Sequence, residues 1–294
     1  MMFFVRHNNK EEAMKCSRRY FFQTALALPA AAGMGIVSSS FAAAQTPAGS
    51  KIKFQLGLAS YTCRNFDRAK TIEMACRAEL KMMCFKDMHL KMNAADEECA
   101  AAAEECKKAG ITLYACGVVS MGNADAVNNA FRYAKAAGMK TIVAVPQPGV
   151  LSLVEEKVKE TGINIAIHNH GPGDNLYPTP ESIMEKISVL DKRIGLCVDV
   201  GHTARIGADV VKSLRDYKER ILDVHFKDET AATPQGKTCI CGRGVLDLPA
   251  YVSALIEIGY DRTVSFEYEA DANDPQPGLM ESVGYIRGLM RMLG

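Results

Sequence analysis

The sequence predicts an α/β fold, a single-domain (β/α)₈ barrel of the TIM type, on three observations. Short β-branched or apolar runs alternate with longer Ala/Glu/Lys-rich runs of helical period. The alternation repeats eight times, with no long linker between units. About 250 residues carry it, the usual size of a closed barrel.

Strands are expected to begin near Phe54, Met82, Ile111, Thr141, Ile163, Ile194, Ile221 and Thr263. The segments Ile72–Leu80, Ala95–Ala109, Ala124–Ala137, Leu151–Thr161, Glu181–Val189, Val210–Tyr217 and Leu248–Ile258 are expected to be helices. Gly110, Gly138, Gly162 and Gly259 stand where helix C-terminal caps belong, just before the next strand.

Residues 1–44 read as an export signal and residues 45–294 as the barrel domain. Arg6, Lys10, Lys15, Arg18 and Arg19 precede an Ala-rich apolar run, Ala25 to Val37, and Ala42 and Ala44 give an A-x-A cleavage pattern. The run Ser17-Arg18-Arg19-Tyr20-Phe21-Phe22 resembles a twin-arginine signal. The apolar run is too short and Gly/Ala-rich for a membrane anchor, so a periplasmic or otherwise exported protein is expected. The full chain has 35 basic and 34 acidic residues; without the signal it has 30 against 32, which offers no basic surplus to nucleic acid or anionic membrane. Ten cysteines show no metal-binding spacing and read as buried free thiols, with Cys239-x-Cys241 as a candidate redox pair in a loop.

Barrel enzymes carry their chemistry at the C-terminal ends of the strands. His168, His170, His202 and His225 cluster at the ends of strands five to seven, and Asp199 and Glu267 finish strands six and eight. Strand residues alternate between the barrel interior and the helices. The strands set Ile165 and Ile167 against His168, Leu196 and Val198 against Asp199, Leu222, Val224 and Phe226 against His225, and Val264 and Phe266 against Glu267. The apolar faces belong on the helices. His168, Asp199, His225 and Glu267 therefore converge at one depth on the barrel axis, as ligands for one divalent metal ion, Zn²⁺ or Mn²⁺ first.

These residues also sit in recognisable motifs. Cys197-Val198-Asp199-Val200-Gly201-His202 resembles the D-x-x-H signature of the xylose-isomerase-like superfamily of sugar isomerases and epimerases. His225-Phe226-Lys227-Asp228 resembles its H-x-K-D strand, Gly242-Arg243-Gly244-Val245-Leu246-Asp247 its G-x-G-x-x-D loop, and Val264–Glu269 its closing glutamate strand. The resemblance implies one metal held by Glu, Asp, His and Glu from strands five to eight. Asp199, His225 and Glu267 match directly, whereas His168 replaces the fifth-strand glutamate. The His168-Asn169-His170 pattern is closer to inosose dehydratase, and the loss of one glutamate argues against a two-base epimerase.

The expected chemistry is proton abstraction beside a carbonyl through an enediolate, on a small sugar or polyol ketone. Glu267 is the candidate ligand and base, His202 a donor to a substrate oxygen, Lys227 an oxyanion stabiliser, and Glu269 or His170 the second acid/base. Tyr61, Lys86, His170 and Arg243 are candidate substrate contacts; His89 reads as a solvated loop residue. A lyase or hydratase and a non-catalytic carbohydrate-binding barrel are the competing readings. An endonuclease IV-like nuclease would need a basic groove that the charge balance denies. A homo-oligomer is compatible with the sequence.

Overall fold

A computed structural model of the protein describes residues 51–294; the expected export signal lies outside the described residues. The chain runs β1 (Gln55–Ala59), α1 (Arg68–Arg77), β2 (Met82–Phe85), α2 (Asp96–Lys108), β3 (Thr112–Met121), α3 (Ala124–Ala136), β4 (Thr141–Pro146), α4 (Leu151–Thr161) and β5 (Asn164–His168). It continues through α5 (Pro180–Ile187), β6 (Ile194–Asp199), α6 (Val200–Arg205), α7 (Val210–Asp216), β7 (Ile221–Phe226), β8 (Asp228–Glu229), β9 (Thr238–Cys239), α8 (Leu248–Glu257), β10 (Thr263–Phe266) and α9 (Gln276–Leu293). Strands β1 to β7 and β10 close into a parallel barrel in the order β1-β10-β7-β6-β5-β4-β3-β2, while β8 and β9 form a small antiparallel pair beside it.

Local chemistry sets the boundaries. Asp67 accepts a hydrogen bond from the Lys70 amide, so α1 starts at Arg68, four residues before the apolar period becomes visible. Asn123, Asp209 and Asp247 cap α3, α7 and α8 in the same way, and Thr179 and Ser182 form a reciprocal capping box on α5. The four predicted cap glycines all take positive φ, between 67° and 72°.

Burial separates two layers. Ile165, Ile167, Leu196, Val198, Val224, Phe226, Val264 and Phe266 join the core between strands and helices. Cys84, Tyr114, Ala115, Val143, Ala166 and Cys197 fill the barrel interior. Leu222 joins this interior set, against the expected alternation. The cause is a bulge: Leu196 pairs with Ile221 but Cys197 pairs with Asp223, so Leu222 is the extra residue on β7. Gly195 makes room for it, since a Cβ there would meet the Leu222 side chain at 2.9 Å. Beyond the bulge, Asp199 pairs with His225 and the alternation resumes.

Candidate metal centre

His168, Asp199, His225 and Glu267 meet at the C-terminal mouth, each offering a ligand atom within 4.8 Å of the others. The Nε2 of His168 lies 3.2 Å from Nδ1 of His225 and 3.5 Å from Oδ2 of Asp199, and Nδ1 of His225 lies 3.2 Å from Oε2 of Glu267. The four are not level in strand register. His168 pairs with Cys197, Asp199 with His225, and the Glu267 amide donates to the Phe226 carbonyl. Asp199 and His225 are thus level, while the steps from β5 to β6 and from β7 to β10 are each offset by two residues, and the strand tilt that closes the barrel brings the four together.

The surroundings fix this geometry. The Asp199 side chain caps α6 by accepting from the His202 amide at 2.7 Å, which leaves Oδ2 facing the histidines. His202 therefore sits in the first turn of a short helix. Asn169 accepts from the Asp199 amide and donates to Thr203 Oγ1, which in turn donates to the Asp199 carbonyl. Gly171 lets this assembly close: its φ is 68° and a Cβ would lie 2.6 Å from the His202 carbonyl oxygen. Below the cluster the Tyr114 hydroxyl donates to Asp223, 2.8 Å away, and lies 2.8 Å from Ser265 Oγ. Burial pushes the Asp223 carboxyl up to about 6.

Lys227 is the dominant charge. Its side chain is fully buried, and its ammonium lies 3.0 Å from Asp199 Oδ2 and 2.9 Å from Glu267 Oε2, and also contacts Glu269 Oε1. Burial alone would lower its pKa, but these carboxylates outweigh burial and raise it well above the usual lysine range. Conversely, burial would raise Glu267, yet Lys227 and His225 hold it well below the carboxylate range. Asp199 is likewise held down by His202 and Lys227 against burial. Burial pushes His168 down to about 3, which leaves a neutral imidazole. His225 would also fall by burial, but Glu267 raises it above its ordinary value. An ammonium shared among carboxylates is a counter-cation, so the expected role of Lys227 as oxyanion stabiliser is not what its contacts describe.

The other expected site residues divide. His170 and His202 stand by the cluster, their ring centroids 4.5 Å and 5.9 Å from that of His168. Glu269 is half-buried beside Lys227. Tyr61 and Lys86 lie together at the ends of β1 and β2, the ammonium 5.4 Å from the ring centroid. Arg243 is exposed and forks onto Glu281 of α9 at 2.6 and 2.8 Å, because its loop folds back on Asp228 through the Gly242 and Gly244 amides. His89 is buried, not solvated, 2.8 Å from Ser60 Oγ and 3.2 Å from the Cys63 carbonyl oxygen. All nine described cysteines are free. Burial pushes the Cys239 and Cys241 thiols up to about 11 and about 12, which disfavours the thiolate that a redox pair uses.

Glu229 is a buried carboxylate that the sequence did not mark. It lies under Gly201, where a Cβ would meet Lys227 Cγ at 2.6 Å and Glu229 Oε1 at 2.8 Å. Burial lifts its carboxyl to about 7. A carboxyl raised on folding adds stability below its unfolded pKa and loses it as pH rises through the folded value. Glu229→Gln should therefore gain stability relative to the parent between about pH 4.5 and pH 7. Urea denaturation midpoints across that range check it; a constant offset would reject it.

The donor set fits a divalent ion. His168 Nε2, Asp199 Oδ2, His225 Nδ1 and Glu267 Oε2 face one another in a buried cluster at 3.2–3.5 Å, and one ligand atom from each lies within 4.8 Å of the others. Two imidazoles and two carboxylates suit Zn²⁺ or Mn²⁺. His225 would give up its proton on binding, so affinity should weaken at low pH.

Comparison with known proteins agrees with this architecture. A family model described as xylose isomerase-like TIM barrel matches residues 69–289. The chain is 29% identical over 157 residues to the rhizopine catabolism protein MocC of Rhizobium meliloti, covering 48% of this chain and 47% of that protein. It is 27% identical over 143 residues to the inosose dehydratase of Lacticaseibacillus casei, covering 43% and 47%. The matches thus span about half the length of these curated relatives. A crystal structure of the IOLI protein with a zinc atom shares the fold, with a TM-score of 0.68 at 19% identity over 82% of this chain and 99% of that one. A closed eight-strand barrel and a family match over three quarters of the sequence agree: the chain belongs to the xylose isomerase-like TIM-barrel family.

Proposed function

We propose that this protein is a divalent-metal-dependent isomerase or epimerase of a keto-sugar, which moves a proton on the carbon beside the carbonyl. The convergence of His168, Asp199, His225 and Glu267 at the mouth carries this reading. The zinc atom of the IOLI structure and the inosose chemistry named for the relatives support it. His168, Asp199, His225 and Glu267 would hold the ion, which when bound supplies Lewis acidity for the carbonyl oxygen.

The chain's own groups then handle the protons. Glu267 stays ionised across the physiological range and can accept a proton from substrate. His202 in α6 and His170 just past β5 reach the mouth on a different side from β10, and can return a proton to another carbon or another face. Lys227 keeps Asp199, Glu267 and Glu269 in fixed positions, as a positioning residue.

One observation favours a second reading, a lyase or hydratase. His168 replaces the glutamate expected on β5, and a neutral imidazole with a pKa near 3 is a ligand and not a base. With a single carboxylate base, loss of a β-hydroxyl competes with reprotonation. Product mass separates the two: an isomer keeps its mass and a dehydrated sugar does not. A mere binding protein would leave every α-proton unexchanged in D₂O.

The central test is metal content. Purified protein should hold about one divalent ion per chain, and Asp199→Ala or His225→Ala should lose it, as metal-ligand changes generally do. Full metal retention in both variants rejects the site. Among the described residues no helix is long and apolar enough to cross a membrane. Export rests on residues 1–44 alone, and secreted protein that still carries Arg18-Arg19 would reject it.

A further inference from the structure

The mouth is not uniform in charge. On the β5 and β6 side stand His170 and His202. On the β1 and β2 side, Arg64 and Lys86 both approach the Tyr61 ring, 5.0 Å and 5.4 Å from its centroid. Both cations are half-buried, yet among the described residues neither forms an ion pair with a carboxylate. Arg64 donates only to neutral carbonyl oxygens, Tyr61 at 3.4 Å and Glu269 at 2.6 Å. The Lys86 ammonium contacts the ring and helps to lower the pKa of the exposed Asp87, with which it forms no ion pair. Arg68 and Arg243, by contrast, each fork onto a glutamate.

Both cations are also built in. The Ser60 hydroxyl accepts from the Lys86 amide at 2.7 Å and lies 2.8 Å from the buried His89, which ties the β1 and β2 ends together. Arg64 is one residue from the cluster, because Glu269 binds it through its carbonyl and Lys227 through its carboxylate. Two cations without an ion-paired carboxylate, beside an aromatic ring where part of the water is excluded, form an attractive seat for an anion.

We propose that Arg64, Lys86 and Tyr61 form an anion subsite, which takes a carboxylate or phosphate on the substrate while its carbonyl end lies over the four-residue cluster. The substrate class is then an acidic keto-sugar. This rests on the keto-sugar reading, but its test does not depend on turnover.

Calorimetric binding of D-tagatose, D-tagaturonate and D-tagatose 6-phosphate to the intact protein compares a neutral, a carboxylated and a phosphorylated ketose. At least one anionic probe should bind tenfold or more tightly than tagatose, and the preference should shrink as salt rises. The tighter of the two acids identifies the anion. Arg64→Met and Lys86→Met should each reduce the anion-to-neutral affinity ratio several-fold, whereas Lys159→Met, an exposed lysine of α4 paired with Glu155, should keep it. Equal affinity for all three probes, or no binding of either acid, overturns the subsite with no variant required. The two readings fail differently. Anion preference without α-proton exchange on any probe would retain the subsite and reject the keto-sugar chemistry; exchange on tagatose together with equal affinity for all three probes would do the reverse.

Discussion

Glu267→Gln is expected to slow α-proton exchange by about 10²–10⁴-fold, the usual contribution of a positioned general base. The amide keeps the shape of the carboxylate and can still offer an oxygen to a metal, but it cannot take a proton. The comparison belongs at saturating Zn²⁺ or Mn²⁺, so that weaker ion binding is not read as lost chemistry. The pH profile adds a second check. Lys227 and His225 hold the Glu267 carboxyl well below its ordinary range, so it is already ionised at neutral pH. Activity that depends on Glu267 as base should therefore show no acid limb between pH 5 and 7 from this group. A limb in that window, or exchange that survives the amide, would move the base to Glu269 or to a histidine.

That prediction could be framed from sequence because alternation along a strand is a strong geometric constraint. Ile165 and Ile167, Leu196 and Val198, and Val264 and Phe266 must face the helices, so their neighbours face inward. The same rule failed at Leu222, since a bulge has no signature in the apolar pattern. Register across strands was equally invisible. The expectation of four ligands converging on the barrel axis carried no register, and the stagger of His168 and Glu267 against Asp199 and His225 appears only once the tilted strands close the barrel. Helix α6 was missed because its six residues are too few to show a period, although Asp199 with the His202 amide is an ordinary cap. Side chains that act across the fold left the least trace. Nothing in the sequence pairs Arg64 with the Glu269 carbonyl or Asn169 with Thr203, and Arg243 beside two glycines looked functional until α9 supplied Glu281.

Lys227→Met should produce the largest stability change, a loss of about 3–5 kcal/mol in metal-free protein, the range for removing one partner of a buried ion pair. The lysine is fully buried, and its removal leaves Asp199 and Glu267 buried with their mutual repulsion uncompensated. Glu269 is partly exposed and can turn to solvent, so the cost falls on the inner pair. For a domain of this size the melting temperature should fall by roughly 10 °C. Adding Zn²⁺ or Mn²⁺ should return more of the loss in the variant than it adds to the parent, because a divalent ion replaces the missing positive charge. Metal affinity should rise for the same reason: Lys227 sits against Asp199 Oδ2 and Glu267 Oε2, oxygens that also face the histidines, and repels an incoming cation. Differential scanning calorimetry with and without metal measures both effects. If metal affinity falls instead, the lysine's main effect is to orient the two carboxylates, and loss of that orientation outweighs the relief of repulsion. Lys227→Arg separates the cases, since it restores the charge while its wider head group cannot keep the same contacts.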